Sequence, residues 1–326
     1  MIYRILNVEY KRYSLEACEL LKTFGIVDNM EIGKEELIKV ISDYNILIVG
    51  LGNNIEKDII NHAKNLEIIA TATTGIDHID VEYANKKGIE IISLKDETEF
   101  LATITSTAEH TFGLILSLIR KIPWNFQYVK QYKWSRKNHE GLQLRGKHLG
   151  LIGFGRLGKM VAQFAQGFNM IVSAFDPYVT ESEMNIYDVK KENMFNVLNN
   201  SDIISIHAPM NKETTKIMGE KAFKMIKEGC YMVNTSRGEL IDEDSLINAL
   251  QNGRLSGAAL DVLSGENNFN SSFKKHALIE YAKANNNLII TPHIAGMAIE
   301  AVNDTRLFIV RKIIDNFHKI NPKEKN

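Results

Sequence analysis

The stretch Gly153-Phe154-Gly155-Arg156-Leu157-Gly158 lies near the middle of the chain and restricts the fold more than any other. A short apolar run, Leu149 to Ile152, precedes it, and a helical pattern from Lys159 to Phe168 follows. In a strand–turn–helix setting the first glycine makes the tight turn, and the second lets backbone approach a pyrophosphate. The third lets helix and strand pack closely, and the helix N-terminus offers free N–H groups to phosphates. The hexapeptide alone is a weak sign, because a glycine-rich turn also serves plain close packing. A second sign is an acidic residue at the end of the next strand, about 20 residues on. Asp176 stands there, closing the run Ile171 to Phe175. Its carboxylate suits a ribose 2′-hydroxyl and would repel a 2′-phosphate, so the pair of signs favours NAD over NADP. The competing reading makes Asp176 a turn residue ahead of Pro177. A long segment comes before the fingerprint, so another domain must precede or surround it.

Composition narrows the class. The 326 residues are 44% hydrophobic and 24% charged, an ordinary globular balance with length enough for two domains. A net charge of -1 gives no electrostatic reason to expect nucleic acid or an anionic membrane surface as a partner. Two cysteines, Cys18 and Cys230, make no disulfide framework, and a reduced, cytoplasmic protein is expected. The first ten residues carry Arg4 and Glu9 within an apolar run and do not read as a signal peptide. The longest apolar stretch, Phe112 to Ile119, is too short to span a bilayer. No metal site is expected.

Short apolar runs alternate with helical patterns on both sides of the fingerprint, which predicts parallel α/β sheets. The N-terminal strands are expected at Ile2–Val8, Ile46–Val49, Ile68–Ala70 and Ile89–Ile92. Six more are expected at Leu149–Gly153, Ile171–Phe175, Ile203–Ile206, Tyr231–Asn234, Gly257–Leu260 and Leu288–Thr291, the number of a dinucleotide-binding fold. One long helical pattern runs from Glu99 to Ile122 and is expected to end at Pro123. The segment Trp124 to Lys147 reads as a connecting arm or partner-facing surface. A last helical pattern covers Met297 to Phe317.

The strand ends carry the chemistry. In an open α/β sheet the ligand crevice lies beyond the carboxyl ends of the strands. His293 follows one strand run in Thr291-Pro-His-Ile-Ala-Gly296, Arg237 another in Asn234-Thr-Ser-Arg-Gly238, and Glu266 lies beyond Asp261-Val262. Singly, such a His is more often structural, such an Arg an ion-pair partner and such a Glu a solvated loop residue. Together, beside a dinucleotide fold, they point to one site. An imidazole titrates near neutral pH and can take the proton of a hydroxyl while hydride leaves its carbon. An adjacent carboxylate orients that ring, and a guanidinium fork suits a substrate carboxylate and carbonyl oxygen.

The ordered set Gly153–Gly158 with Asp176, His207-Ala-Pro209, Asn234–Gly238, Gly257–Val262 with Glu266, and Thr291–Gly296 resembles the D-isomer-specific 2-hydroxyacid dehydrogenase family over essentially the whole chain. The resemblance implies a Rossmann-type doubly wound parallel sheet, residues 100–297, inserted into a flavodoxin-like α/β substrate domain, residues 1–99 and 298–326. It implies an NAD-dependent oxidoreductase acting on a small 2-hydroxy or 2-oxo acid at an interdomain cleft whose closure excludes water. Arg237, Glu266 and His293 are the implied catalytic residues. Cofactor contacts are implied for Gly153, Gly155, Arg156, Leu157, Gly158, Asp176, His207, Pro209, Thr235, Ser236, Arg237, Asp261, His293, Ala295 and Gly296. Thr73, Thr74 and Gly75 fall where the family has a substrate loop, though Thr73 replaces the family's usual glycine. A homodimer is expected, with the Trp124–Lys147 arm as a contact. Asn267 replaces the family's usual proline after the glutamate, and 267–270 reads as an insertion that reshapes the mouth of the site. The family's NAD-sensing corepressors and a phosphite-type dehydrogenase are the alternative readings. The formate-dehydrogenase branch has Gln where Glu266 stands.

Overall fold

The computed structural model describes residues 3–137, 139–266, 269 and 275–320. The chain divides into two compact units, one built from residues up to Ile104 together with those from Met297 onward, the other from Thr105 to Gly296.

The first unit is a five-stranded sheet of β1 (Tyr3–Asn7), β2 (Gly25–Asn29), β3 (Ile46–Val49), β4 (Ile68–Thr71) and β5 (Glu90–Ile92). Its order is β2-β1-β3-β4-β5 and every pairing is parallel. Strands β3 and β4 are buried on both faces, as an unbroken apolar run requires in a sheet covered by helices on both sides. Alternation then sorts the side chains. Ile46 and Ile48 join one core with Ile5, while Leu47 and Val49 join the opposite core with Leu6. The terminal helix Ile299–Ile320 belongs here. Ile309, Val310 and Ile313 are completely buried in the Ile5–Ile46 core, and Phe308 stacks on Phe100 with ring centroids 4.0 Å apart.

The second unit is a seven-stranded, wholly parallel sheet: β6 (His148–Ile152), β7 (Ile171–Phe175), β8 (Lys190–Lys191), β9 (Ile203–Ile206), β10 (Cys230–Asn234), β11 (Leu255–Leu260) and β12 (Leu288–Ile290). Its order, β12-β11-β10-β9-β6-β7-β8, reverses between β6 and β9. One face is covered by the helices Ser106–Ile119 and Arg156–Gly167, through Phe112, Ile115, Val161 and Ala165. The other face packs Leu246, Leu250 and Leu278 of the helices Glu243–Gln251 and Ala277–Ala284.

Three expectations need correction. The second sheet has seven strands rather than six, and β2 was also not anticipated. Both missed strands lie at sheet edges, where the continuous buried apolar run that marks an interior strand shrinks to the partly exposed Ile26–Val27 in β2 and vanishes in Lys190–Lys191. The long pattern from Glu99 is three helices, Thr98–Ala102, Ser106–Ile119 and Ile122–Lys130. Lys121 takes a left-handed conformation (φ 55°) between the last two, and Pro123 opens the third helix instead of ending the second. A proline is at home in a first turn, where its missing N–H has no partner to lose. Part of the expected arm is therefore helical.

Candidate active site

The fingerprint turn lies where the second sheet reverses its order, which is where such sheets leave a crevice beyond their strand ends. Gly153 has φ 93°, and a Cβ there would sit 2.7 Å from the Ala208 nitrogen and from the His207 carbonyl carbon. Only glycine fits both the conformation and the approach of the β9 exit. A Cβ on Gly158 would meet the Gly153 oxygen at 2.5 Å, so helix and turn touch there. Gly155 is the opposite case. A Cβ on it meets nothing within 4 Å and would only fill the open space above the turn. Gly155 precedes the helix Arg156–Gly167 and as its N-cap makes no side-chain hydrogen bond to that end, so the first turn of the helix faces the turn as a natural place for an anion. This uncapped cradle fits the pyrophosphate of a dinucleotide. Burial lowers the Arg156 pKa from its ordinary value.

Asp176 ends β7 beside the cradle. Its Oδ2 accepts from Phe154 N at 2.9 Å and its Oδ1 from Tyr178 N at 2.9 Å. The carboxylate thus braces the fingerprint turn, in addition to the ribose contact expected from sequence. His207 N donates to Ile152 O at 2.7 Å, which joins the exits of β6 and β9. The His207 ring is buried against Ser205 Oγ (2.8 Å to Nε2), and burial pushes its pKa down to about 4. Pro209 is exposed, and its carbonyl accepts from Thr214 Oγ1 at 2.6 Å.

The β10 exit carries Thr235, Ser236 and Arg237. The fully buried Asn234 braces this turn, accepting from Ser236 N at 3.0 Å and donating to Arg237 O at 2.8 Å. Thr235 Oγ1 lies 2.8 Å from Thr111 Oγ1, and Ser236 Oγ donates to Ala208 O at 2.6 Å, which ties the turn to the β9 exit. Arg237 is half-buried and donates from Nη1 to Ser236 O at 2.8 Å.

The β11 and β12 exits bring Glu266 and His293 together. His293 Nδ1 hydrogen-bonds Glu266 Oε1, and Glu266 Oε2 accepts from Leu263 N at 2.9 Å. His293 has φ 51°, uncommon for a residue with a side chain. Its N–H is held by Asp261 O at 2.8 Å and Thr291 O at 3.0 Å. The Asp261 carboxylate is completely buried, accepting from Thr291 Oγ1 (2.5 Å), Ile294 N (3.0 Å) and Ala295 N (2.8 Å), with His110 Nε2 3.4 Å away. Burial opposes its ionisation, yet His110, Thr291 and the two amides together hold its pKa below the usual carboxylate value. Asp261 therefore shapes the His293 turn from inside the protein. Ala295 is buried, its carbonyl accepting from Ser106 Oγ at 2.7 Å, while Gly296 is exposed.

The structure brings Glu266 and His293 into contact and places Arg237 on the neighbouring strand exit. Thr73, Thr74 and Gly75 lie in the first unit at the exit of β4, where Thr73 Oγ1 donates to Gly75 O at 2.7 Å. Of the expected insertion 267–270, only Phe269 is among the described residues. Sequence reasoning missed His110, Thr111 and Ser106, which sit on a helix far upstream in sequence. It also missed Glu239 and Glu243, whose only sequence signal is their closeness to Arg237. Among the described residues no group of His, Cys, Asp and Glu stands where it could hold a metal ion, and no helix is long and apolar enough to cross a membrane.

Residues 112–295 match the model of the D-isomer specific 2-hydroxyacid dehydrogenase, NAD binding domain. The chain is 34% identical over 287 residues to the hydroxypyruvate reductase of Thermotoga maritima, covering 88% of this chain and 89% of that protein. It is 34% identical over 304 residues to the D-3-phosphoglycerate dehydrogenase of Archaeoglobus fulgidus, covering 93% of this chain and 55% of that protein. The chain thus spans about half the length of the phosphoglycerate dehydrogenases it matches. Among solved structures, D-lactate dehydrogenase from Aquifex aeolicus, complexed with NAD and lactic acid, superposes with a TM-score of 0.85 at 26% identity, covering 99% of this chain and 97% of that one.

Proposed function

The chain belongs to the D-isomer specific 2-hydroxyacid dehydrogenase family and carries its NAD-binding domain, and from that premise we propose that it interconverts a small D-2-hydroxy acid and the matching 2-oxo acid. NAD supplies the hydride acceptor when bound. The first-turn amides after Gly155 hold its pyrophosphate, and Asp176 favours an unphosphorylated ribose. His293 takes the hydroxyl proton in oxidation and returns it in reduction. With Nδ1 engaged by Glu266, Nε2 is the nitrogen that faces the reacting oxygen. Glu266 fixes the ring orientation through its hydrogen bond to Nδ1. Arg237 binds the substrate carboxylate and polarises the C2 oxygen through its planar fork. The Glu266–His293 contact at the strand exits of the cofactor sheet carries this reading. We further propose a cytoplasmic homodimer that presents the arm containing Ile122–Lys130.

NADH oxidation with glyoxylate, hydroxypyruvate, pyruvate, 2-oxoglutarate and 3-phosphohydroxypyruvate tests it. At least one acid should turn over. His293→Ala should then lose on the order of a hundredfold or more in kcat, and Arg237→Ala should lose mainly in kcat/KM. Undiminished turnover in His293→Ala overturns the assignment. Tight NADH binding without turnover of any acid would instead favour a cofactor-sensing protein.

A further inference from the structure

Three consecutive amides in the turn before Glu266 are each held by a different carboxylate. Leu263 N donates to Glu266 Oε2 at 2.9 Å, Ser264 N to Glu243 Oε1 at 2.8 Å, and Gly265 N to Glu239 Oε1 at 3.0 Å. Gly265 has φ 72°, the left-handed step that turns successive N–H groups into a common concavity for anions. Glu239 lies in the short turn Gly238–Leu240 and Glu243 in the first turn of the helix Glu243–Gln251, so both follow Arg237 directly. The two turns touch. A Cβ on Gly238 would lie 2.1 Å from the Leu263 carbonyl carbon and 2.2 Å from Ser264 N, a fit that only glycine allows. On the far side Glu243 Oε2 meets His276 Nε2 at 3.2 Å, and the Phe269 ring stands edge-on to His276 with centroids 5.7 Å apart.

We propose that Glu239 and Glu243 are positioning residues of the reaction: they clamp the Ser264 and Gly265 amides so that Glu266 is presented to His293. The clamp springs from the stretch that carries Arg237. The substrate-binding guanidinium and the acid–base pair are therefore set against each other by one piece of backbone. Charge-assisted bonds to backbone amides are stiffer than neutral ones, which suits a turn that must hold a side chain in register. Gathering three carboxylates is costly on its own. Burial, followed by the neighbouring charge of Glu239, pushes the Glu243 pKa up, while the Ser264 amide and His276 act against this. An ordinary surface turn needs no such arrangement.

The inference rests on the roles assigned above to Glu266 and His293, so its test has a readout that needs no turnover. In the ligand-free protein, the His293 Nδ1 proton bonded to Glu266 should give a downfield proton resonance, assigned by its loss in His293→Ala. Glu239→Ala and Glu243→Ala should displace or abolish that resonance. They should also lower kcat on the order of tenfold to a hundredfold, with NADH affinity held within about twofold. Glu239→Gln and Glu243→Gln keep an acceptor oxygen and should restore the resonance. Should an alanine variant not fold, Glu239→Asp or Glu243→Asp, which withdraws the acceptor by one methylene, takes its place with the same readouts. Variants that melt earlier yet keep the resonance would show mere bracing and overturn the proposal. So would absence of the resonance from the parent protein. Failure of every acid to turn over would sink the proposed reaction while leaving the resonance test to judge the clamp.

Discussion

His293 holds a backbone conformation that costs a residue with a side chain about 1–3 kcal/mol. The surroundings that impose it are specific: Asp261 O and Thr291 O hold its N–H, and the Asp261 carboxylate holds the two amides that follow. Glu266 and His293 were legible in the sequence because both follow apolar runs that end at the sheet's ligand edge. The inward role of Asp261 was not. It depends on a loop folding back onto its own support, across more than thirty residues of sequence, and no spacing rule encodes that. His207 supports a prediction at this scale. Burial lowers its folded pKa to about 4, below the ordinary 6.5, so the unfolded chain binds a proton that the folded one refuses. The stability associated with the neutral ring is complete above about pH 6.5 and is lost as pH falls toward 4. Between pH 7 and 4.5 it amounts to on the order of 2 kcal/mol. Urea unfolding at those two pH values should show wild type losing more than His207→Gln by that margin. An equal loss would place the proton elsewhere.

Strands with a continuous apolar run announced themselves, the edge strands Glu90–Ile92 and Leu288–Ile290 included, and the two strands without one did not. The runs Ile46–Val49 and Ile203–Ile206 lie inside their sheets and were read with the right bounds. Gly25–Asn29 and Lys190–Lys191 pair along only one side and lack such a run, which removes the pattern by which a strand is recognised. The helical period running on from Glu99 hid two breaks, because apolar spacing survives a short kink that caps and a left-handed Lys121 impose. At the fingerprint, element geometry separates folding from binding. Gly155→Ala adds a methyl into open space and should leave thermal stability unchanged within about 0.5 kcal/mol. It should weaken NADH binding about tenfold or more, as the pyrophosphate approach proposed above requires. Gly158→Ala drives a methyl into the Gly153 carbonyl and should cost about 1–3 kcal/mol of stability. Paired melting and NADH titrations decide it, and a shared phenotype for the two variants would refute the separation.

At the scale of the whole chain, the second unit leaves several large apolar side chains in solvent. Phe126 is 60% exposed, Trp134 85% and Tyr132 100%, all on or beside the helix Ile122–Lys130. Such a concentration on one segment is what the homodimer proposed above would cover. Sedimentation should give twice the chain mass, and Phe126→Glu combined with Trp134→Glu should shift the species toward monomer. A monomeric parent protein would remove the arm from consideration. The discontinuity of the first unit has another consequence. Ile309, Val310 and Ile313 complete the core that begins at Ile5, yet the ribosome makes them some three hundred residues later. During synthesis the sheet opened first must wait with one core incomplete, packed by Ala17, Leu21 and Leu101 but not by the last helix, while the continuous unit from Thr105 to Gly296 emerges and can close on itself. Nascent chains stalled before the last helix should therefore keep the early strands within reach of chaperones and proteases while the later-made sheet is already resistant.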